Sequence, residues 1–151
     1  MNFKKSHSGR SMVEMLGVLA IIGVLSVGGI AGYSLSMRRH RANQMADAIA
    51  KYASLSYAQC QQQVLNGKRD SLTNCGSGDV PTYTDTDLGQ LPVGVTYISH
   101  ADITQNLTTG VDTVDTVVQF ADKKTCQAVA SIIESEGCDK DGFTHFFIKQ
   151  N

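Results

Sequence analysis

The chain has 151 residues, a length typical of one small domain with an additional extended element. Residues 1–69 carry nine Lys or Arg against two acidic residues, and residues 70–151 carry four against twelve, which gives +7 and −8. Because phosphate contacts require clustered cations, the acidic second part argues against direct nucleic-acid binding.

An apolar segment runs from Met15 to Met37 without a charged residue. As a helix, its 23 residues extend about 35 Å, enough to cross a hydrocarbon core of roughly 30 Å. It fits a secretory signal peptide cut near Met37, an ordinary membrane anchor, or a segment that is cut before the apolar run. Lys4 and Lys5 suit a signal peptide, but the segment exceeds the usual apolar region of about 7–15 residues.

A single carboxylate, Glu14, stands at the start of this apolar segment. A charge at that position is costly in lipid unless it is paired. A plain anchor has no use for the charge, whereas a subunit that leaves the bilayer and packs against identical subunits does.

The stretch Gly9-Arg10-Ser11-Met12-Val13-Glu14, followed by about twenty apolar residues, resembles the N-terminal signature of type IV pilins and type II secretion pseudopilins. The resemblance implies that a prepilin peptidase cuts after Gly9 and that the amine of Arg10 is then methylated. Glu14 becomes the fifth residue of the mature chain. The chain departs from the family pattern at Arg10, where members usually have Phe or Met.

The resemblance also implies a role for Glu14 in assembly. Its carboxylate would neutralise the N-terminal amine of a neighbouring subunit inside a filament. Opposite charges attract strongly in a low-dielectric core, and either charge alone is heavily penalised, so the pair would fix the register between subunits. The implied partners are identical or related pilin subunits, the prepilin peptidase, the inner-membrane assembly platform and membrane lipid.

Helical periodicity continues beyond the apolar segment, and no Pro occurs before Pro81. Apolar residues fall at the spacing of one helix face at Met45, Ala48, Ile49, Tyr52 and Leu55. We therefore predict one helix from about Ser11 to about Leu65, ended by Asn66-Gly67. The predicted divisions are a leader at 1–9, a membrane-spanning and assembly half of the helix at 10–37, an amphipathic half at 38–66, and a globular pilin-like head at 67–151.

Patterns in the head predict a small antiparallel sheet against the helix, an α+β arrangement that the pilin resemblance also implies. After a polar linker at 67–92, the predicted elements are strands at Val93–Ser99 and Thr113–Phe120, an edge strand at Asp102–Thr108, a helix at about Lys124–Glu134 and a strand at Phe143–Ile148. In the short helix, Ile132 and Ile133 are predicted to share a face with Cys126 and Val129.

Four cysteines follow the apolar segment, at Cys60, Cys75, Cys126 and Cys138. Their even number predicts two disulfides and an oxidising compartment, although sequence alone leaves three pairings open. We favour Cys60–Cys75, which would tie the linker to the helix. We also favour Cys126–Cys138, which would close a loop around the second helix and resembles the C-terminal disulfide region of pilins.

No catalytic constellation, phosphate loop or metal-ligand spacing occurs in the sequence, so we expect neither an enzyme nor a cofactor. Asp139-Lys140-Asp141-Gly142 slightly resembles a calcium loop, but Ile148 stands where the liganding Glu would fall. The leading hypothesis is a structural subunit of a type IV pilus or related filament. It would lie in the inner membrane with its C-terminal part outside the cytoplasm, and then in a periplasmic or extracellular filament. The alternatives are an uncleaved, single-pass extracytoplasmic binding domain and a periplasmic enzyme released near Met37.

Overall fold

The structure is a computed structural model that describes residues 8–73, 75, 82, 83, 86 and 88–150. Its elements are helix α1 (Ser8–Leu65), strand β1 (Val95–Thr104), strand β2 (Asp112–Phe120), helix α2 (Lys123–Ala130) and strand β3 (Phe143–Gln150). Contacts within the chain form two compact units, one up to Arg38 and one from Arg39 onward. The α+β class, with a long helix packed on a small antiparallel sheet, is confirmed.

The second half of α1 forms a helix because its apolar residues recur every three or four positions and one face becomes buried. The buried residues of this face are Ala42, Met45, Ala46, Ala48, Ile49, Tyr52, Ala53, Ser56 and Cys60. On the opposite face, Lys51 Nζ lies 2.9 Å from Asp47 Oδ2, and this hydrogen bond raises the pKa of Lys51. The helix ends at Leu65 because Gly67 adopts φ +69°, a conformation that glycine takes at low cost.

The sheet has three antiparallel strands in the order β1-β2-β3. Alternate residues of β2 face α1. On this inner face, Val118 pairs with Ile98 of β1 and with Thr144 of β3. Residues 134–139 follow the outer edge of β3: Phe147 N donates to Glu134 O at 3.1 Å, and Glu136 N donates to His145 O at 3.2 Å.

The core lies between the sheet and the second half of α1. Ile49 and Tyr52 belong to one buried cluster with Ile98, Val118 and Phe146, and each of these side chains is at most 1% exposed. A second buried cluster lies further along α1 and includes Ala53, Cys60, Ile103 and Val114. Burial of such side chains contributes about 1.5–3 kcal/mol each, which makes this contact the main stabilisation of the unit.

Helix α2 begins at an N-cap, because the Asp122 carboxylate accepts hydrogen bonds from Thr125 N at 2.9 Å and Thr125 Oγ1 at 2.7 Å. These bonds lower the pKa of Asp122. The predicted end at Glu134 is wrong, since the helix stops at Ala130 and Glu134 pairs with the β3 edge instead. Ile132 consequently leaves the buried face and is 48% exposed.

The predicted edge strand over Asp102–Thr108 is also wrong, because β1 itself continues to Thr104. Ile103 pairs with Val114 and is fully buried, so the strand gains a core residue by extending. The following residues form the β1–β2 turn, in which Asn106 Oδ1 accepts from the backbone N–H groups of Thr108 and Thr109 at 3.1 and 3.0 Å.

Disulfides join Cys60 to Cys75 and Cys126 to Cys138, the two pairs favoured in the sequence analysis. Cys60 and Cys75 are fully buried beside Leu72, so the first residues after the helix are held against it. A loop of 15 residues closed in this way is worth about 3 kcal/mol. Much of the predicted polar linker (residues 74, 76–81, 84, 85 and 87) lies outside the described residues.

Gly142 is required where the chain turns into β3. It has φ +78°, and an added Cβ would lie 2.7 Å from the backbone oxygen of Phe120.

We predict that Gly142→Ala lowers the free energy of unfolding, measured by denaturant titration, by about 3 kcal/mol or more. Gly110 is the matched control, since it has φ +69° but open space around it. Gly110→Ala should cost only about 1–2 kcal/mol, and equal losses would contradict the steric explanation.

Candidate functional site

None of the described residues covers the apolar part of α1. All side chains from Met12 to Ser36 are exposed, and the large apolar ones retain between 53% (Ile22) and 75% (Val24) of their accessible surface. Monomeric soluble proteins rarely expose contiguous apolar patches larger than a few hundred Å². This segment therefore favours an apolar environment that the described residues do not provide, either lipid or protein.

The polar groups of this segment are largely satisfied within it. Ser26 Oγ donates to Ile22 O at 2.7 Å, and Ser34 Oγ donates to Ala31 O at 2.9 Å. Such local bonds let hydroxyl groups enter an apolar environment without losing a partner. By length and composition, α1 is a candidate membrane span.

Glu14 lies at the start of the exposed segment. It is itself exposed, and in the described part of the chain no cation forms an ion pair with it. Gly9 and Arg10 belong to the first turn of α1, where the backbone N–H groups have no partner within the helix. Of the predicted leader at 1–9, residues 1–7 lie outside the described residues.

Small residues recur every third position from Gly17 to Gly29. The five are Gly17, Ala20, Gly23, Ser26 and Gly29. Because a helix turns by about 100° per residue, a three-residue step falls about 60° short of a full turn. The small residues therefore wind around α1 rather than forming one stripe. A Cβ built at any of these glycines meets no atom within 4 Å other than the adjacent residues and backbone of its own helix. Close approach by several neighbouring helices is sterically open.

A basic cluster directly follows the apolar segment and comprises Arg38, Arg39, His40 and Arg41. All four side chains are exposed. Within the described residues none of them forms an ion pair with a carboxylate. The cluster is thus available to phosphate groups of lipid or to acidic groups of another protein.

A groove that the sequence did not reveal lies in the second unit, with a volume of about 490 Å³. One wall is the exposed side of α1 from His40 to Ala50, and the other includes Ile132, Ile133 and Ile148. The missed signal is the early end of α2, which turns Ile132 out of the core. We call this feature the α1 groove.

Two polar contacts join distant parts of the sequence. Tyr57 Oη donates to Asp112 Oδ2 at 2.6 Å and fastens α1 to the start of β2. That hydrogen bond, with some burial, raises the pKa of Tyr57. On the other side of β2, His145 Nδ1 lies 2.9 and 3.0 Å from the two carboxylate oxygens of Asp115. Neither pair has a local sequence signal, because the partners are 55 and 30 residues apart.

Among the described residues, no three His, Cys, Asp or Glu side chains are arranged to hold a metal ion. The cysteines are bonded in the two disulfides, which leaves none as a thiol nucleophile.

Comparisons with protein-family models, curated proteins and solved structures gave no match. The function is therefore inferred from the residues of the chain itself.

We predict that Tyr57→Phe lowers the free energy of unfolding at pH 7 by about 1 kcal/mol, because Asp112 loses its hydrogen-bond donor. Since the folded state raises the pKa of Tyr57, this stabilisation is fully present below the ordinary tyrosine pKa of about 10. It is lost as the pH rises through the raised pKa. Denaturant titrations of both proteins between pH 7 and 11 measure the difference.

Tyr97→Phe is the matched control for this experiment. The Tyr97 side chain is 39% exposed, and its hydroxyl has no hydrogen bond in the described part of the chain. Its removal should change stability by less than about 0.5 kcal/mol at any pH in that range. A Tyr57→Phe difference that stayed constant to pH 11 would contradict the assignment of the bond.

Proposed function

We propose that this chain is a structural subunit of a type IV pilus or a related filament. In this proposal a prepilin peptidase cuts after Gly9, the segment Met15–Met37 anchors the subunit in the inner membrane, and the same segment later packs against copies of itself. The observation that carries the proposal is an apolar helix that is uncovered on all sides and begins with one carboxylate.

The uncovered helix is compatible with both stages of the proposal, first in the membrane and then in the filament. Each large apolar side chain gains about 1.5–3 kcal/mol on leaving water, so a segment with more than ten of them is stable only in lipid or in a protein core. A bilayer covers all sides of the helix, and so does a bundle of identical helices. The small residues that wind around α1 support the second environment, since they permit close contact on several sides.

Glu14 distinguishes a filament subunit from a plain anchor. A carboxylate among exposed apolar side chains is costly in lipid and gains no partner there from the described residues. Cleavage after Gly9 creates a positive amine at Arg10, four positions before Glu14. In a bundle of copies, that amine is the complementary charge, and a subunit docked out of register would bury an unpaired charge at a cost of about 3–5 kcal/mol.

The two disulfides support a location outside the cytoplasm for the second unit. Disulfides persist in the periplasm and on cell surfaces and are rare in reducing compartments. The acidic second part of the chain and the basic cluster at Arg38–Arg41 are consistent with electrostatic orientation of subunits during docking. Exposed charge pairs contribute little affinity, so packing of the helix supplies the energy of assembly.

Mass spectrometry of the N-terminal peptide tests the processing step. We expect a mature chain that starts at Arg10, with methylation on its amine. The uncleaved, membrane-anchored binding domain predicts instead a chain that keeps residues 1–9. Release by signal peptidase near Met37 predicts a chain without the apolar segment. Either of the last two results would refute the filament proposal.

Substitution of Glu14 tests the assembly step. We expect Glu14→Gln to leave membrane insertion and cleavage unchanged but to reduce the yield of sheared filaments by about tenfold or more, because the amine then lacks its counter-charge. Glu14→Asp should retain part of the yield. Glu136→Gln removes an exposed carboxylate in the second unit and serves as the control. Filament yields equal to wild type for Glu14→Gln would contradict the pairing.

A further inference from the structure

Helix α1 enters the second unit at the end where helix α2 begins. A Cβ built at Gly94 would lie 2.9 Å from Met45 Cε and 3.2 Å from Thr125 Cγ2, so Met45 of α1 and Thr125 of α2 are close neighbours. Arg41 precedes Met45 by one helical turn and lies on the same face of α1. The first turn of α2 therefore lies near the part of α1 that follows the apolar segment.

Four exposed cations lie at this end of the second unit. We call them the basic end, and they are Arg39 and Arg41 of α1 and Lys123 and Lys124 of α2. Within the described residues, none of the four forms an ion pair. The cations of α1 and those of α2 are distant in sequence, so the fold brings them to one surface.

Acidic residues offset only part of this charge. The turn before β3 lies at the same end, because Phe120 N, two residues before Asp122, donates to Gly142 O at 3.0 Å. Its charged residues, at positions 139–141, are two Asp and one Lys. With Asp122 and the basic end, the described residues here comprise five cations and three carboxylates, a net charge of +2.

The two lysines of α2 are placed where an anion from outside the chain would stabilise them. Lys123 and Lys124 occupy the first turn of α2, which contains no acidic residue. The partial positive charge of a helix N-terminus disfavours cations at that position. The one nearby carboxylate, that of Asp122, is already bonded to the backbone N–H and the hydroxyl of Thr125.

The distance from the apolar segment favours lipid phosphate as this anion. Four residues of α1 separate Met37, the end of that segment, from Arg41, a rise of about 6 Å. The headgroup layer occupies about 5–7 Å on each side of a hydrocarbon core. When the segment spans a bilayer, Arg39 and Arg41 therefore lie at the depth of the lipid phosphates. Acidic groups of a second copy would have to enter the headgroup layer to reach them.

We propose that the basic end binds the phosphate groups of anionic phospholipids and holds the second unit against the membrane surface before assembly. The attraction falls off within a Debye length, about 8 Å at physiological ionic strength, so cations elsewhere on the unit do not share in it. Transfer of the subunit from bilayer to filament would release the contact. The inference rests on the membrane stage of the proposed function and adds a lipid contact outside the apolar segment.

Chemical labelling of lysines in the full-length chain tests this contact. The chain is reconstituted in vesicles of phosphatidylcholine, alone or mixed with phosphatidylglycerol. A membrane-impermeant amine reagent then modifies the outward-facing units, and mass spectrometry reads the rate at each lysine. We expect Lys123 and Lys124 to react about fivefold more slowly in the mixed vesicles, equivalent to about 1 kcal/mol for a cation near an anionic surface.

Lys68 is the internal control for this measurement. It is exposed and follows the far end of α1, and the helix rises about 36 Å from Arg41 to Leu65. Its rate should be the same in both kinds of vesicle. In about 1 M NaCl the Debye length falls to about 3 Å, so the protection of Lys123 and Lys124 should disappear.

Neutralisation of the arginines gives a second measurement. In the double variant Arg39→Gln, Arg41→Gln, most of the protection of the two α2 lysines should be lost, because both elements bind one membrane surface. The matched control is Lys51→Gln, Lys149→Gln, which removes the same charge from exposed positions outside the basic end. It should leave the protection unchanged, and equal behaviour of the two double variants would contradict a localised contact.

The outcomes separate this inference from the proposed function. Equal rates at Lys123 and Lys124 in the two kinds of vesicle would overturn the lipid contact and leave cleavage and filament formation untouched. Protection that rises with the density of the protein, independently of phosphatidylglycerol, would assign the basic end to a second copy and also overturn the lipid contact. Release of the chain from vesicles by alkaline carbonate would refute the membrane stage of the proposed function, and this inference with it.

Discussion

Burial of one apolar helix segment is the constraint on which this molecule depends. From Met12 to Ser36 no part of the chain that the structure describes covers α1, although most of its side chains prefer an environment without water. The unit from Arg39 onward has its own buried core. The chain thus combines a unit with an internal core and an exposed segment that is apolar throughout.

In its second half, the same helix buries its apolar side chains within the chain itself. There the apolar residues are confined to one face, which the sheet covers, while the opposite face carries Asn43, Gln44 and Asp47. The two disulfides, whose cysteines lie in or against the buried clusters, and the Tyr57–Asp112 hydrogen bond hold this contact in one arrangement. A unit fixed in this way has the same surface in every copy, which is a condition for regular packing of many copies.

The fold class and most elements were predictable from the sequence because their patterns are local. The end of α1 follows from Asn66-Gly67, and β2 follows from its many Thr and Val residues. The end of α2 and the extension of β1 were not predictable, since both depend on pairing with strands distant in sequence. The α1 groove was missed for the same reason: Ile132 fits a helical face by spacing, but the β3 edge ends that helix first. Glu14 could be proposed as an assembly residue from sequence alone because a carboxylate at the start of an apolar run is a local signal.

The two disulfides each join cysteines that follow one another along the chain. Each closes a short stretch, with partners 15 and 12 residues apart, and the two stretches do not overlap along the chain. If the second unit is exported with its N-terminal side first, as proposed above, Cys60 would meet Cys75 before Cys126 emerged. The order of emergence alone would then favour the two pairs found in the structure.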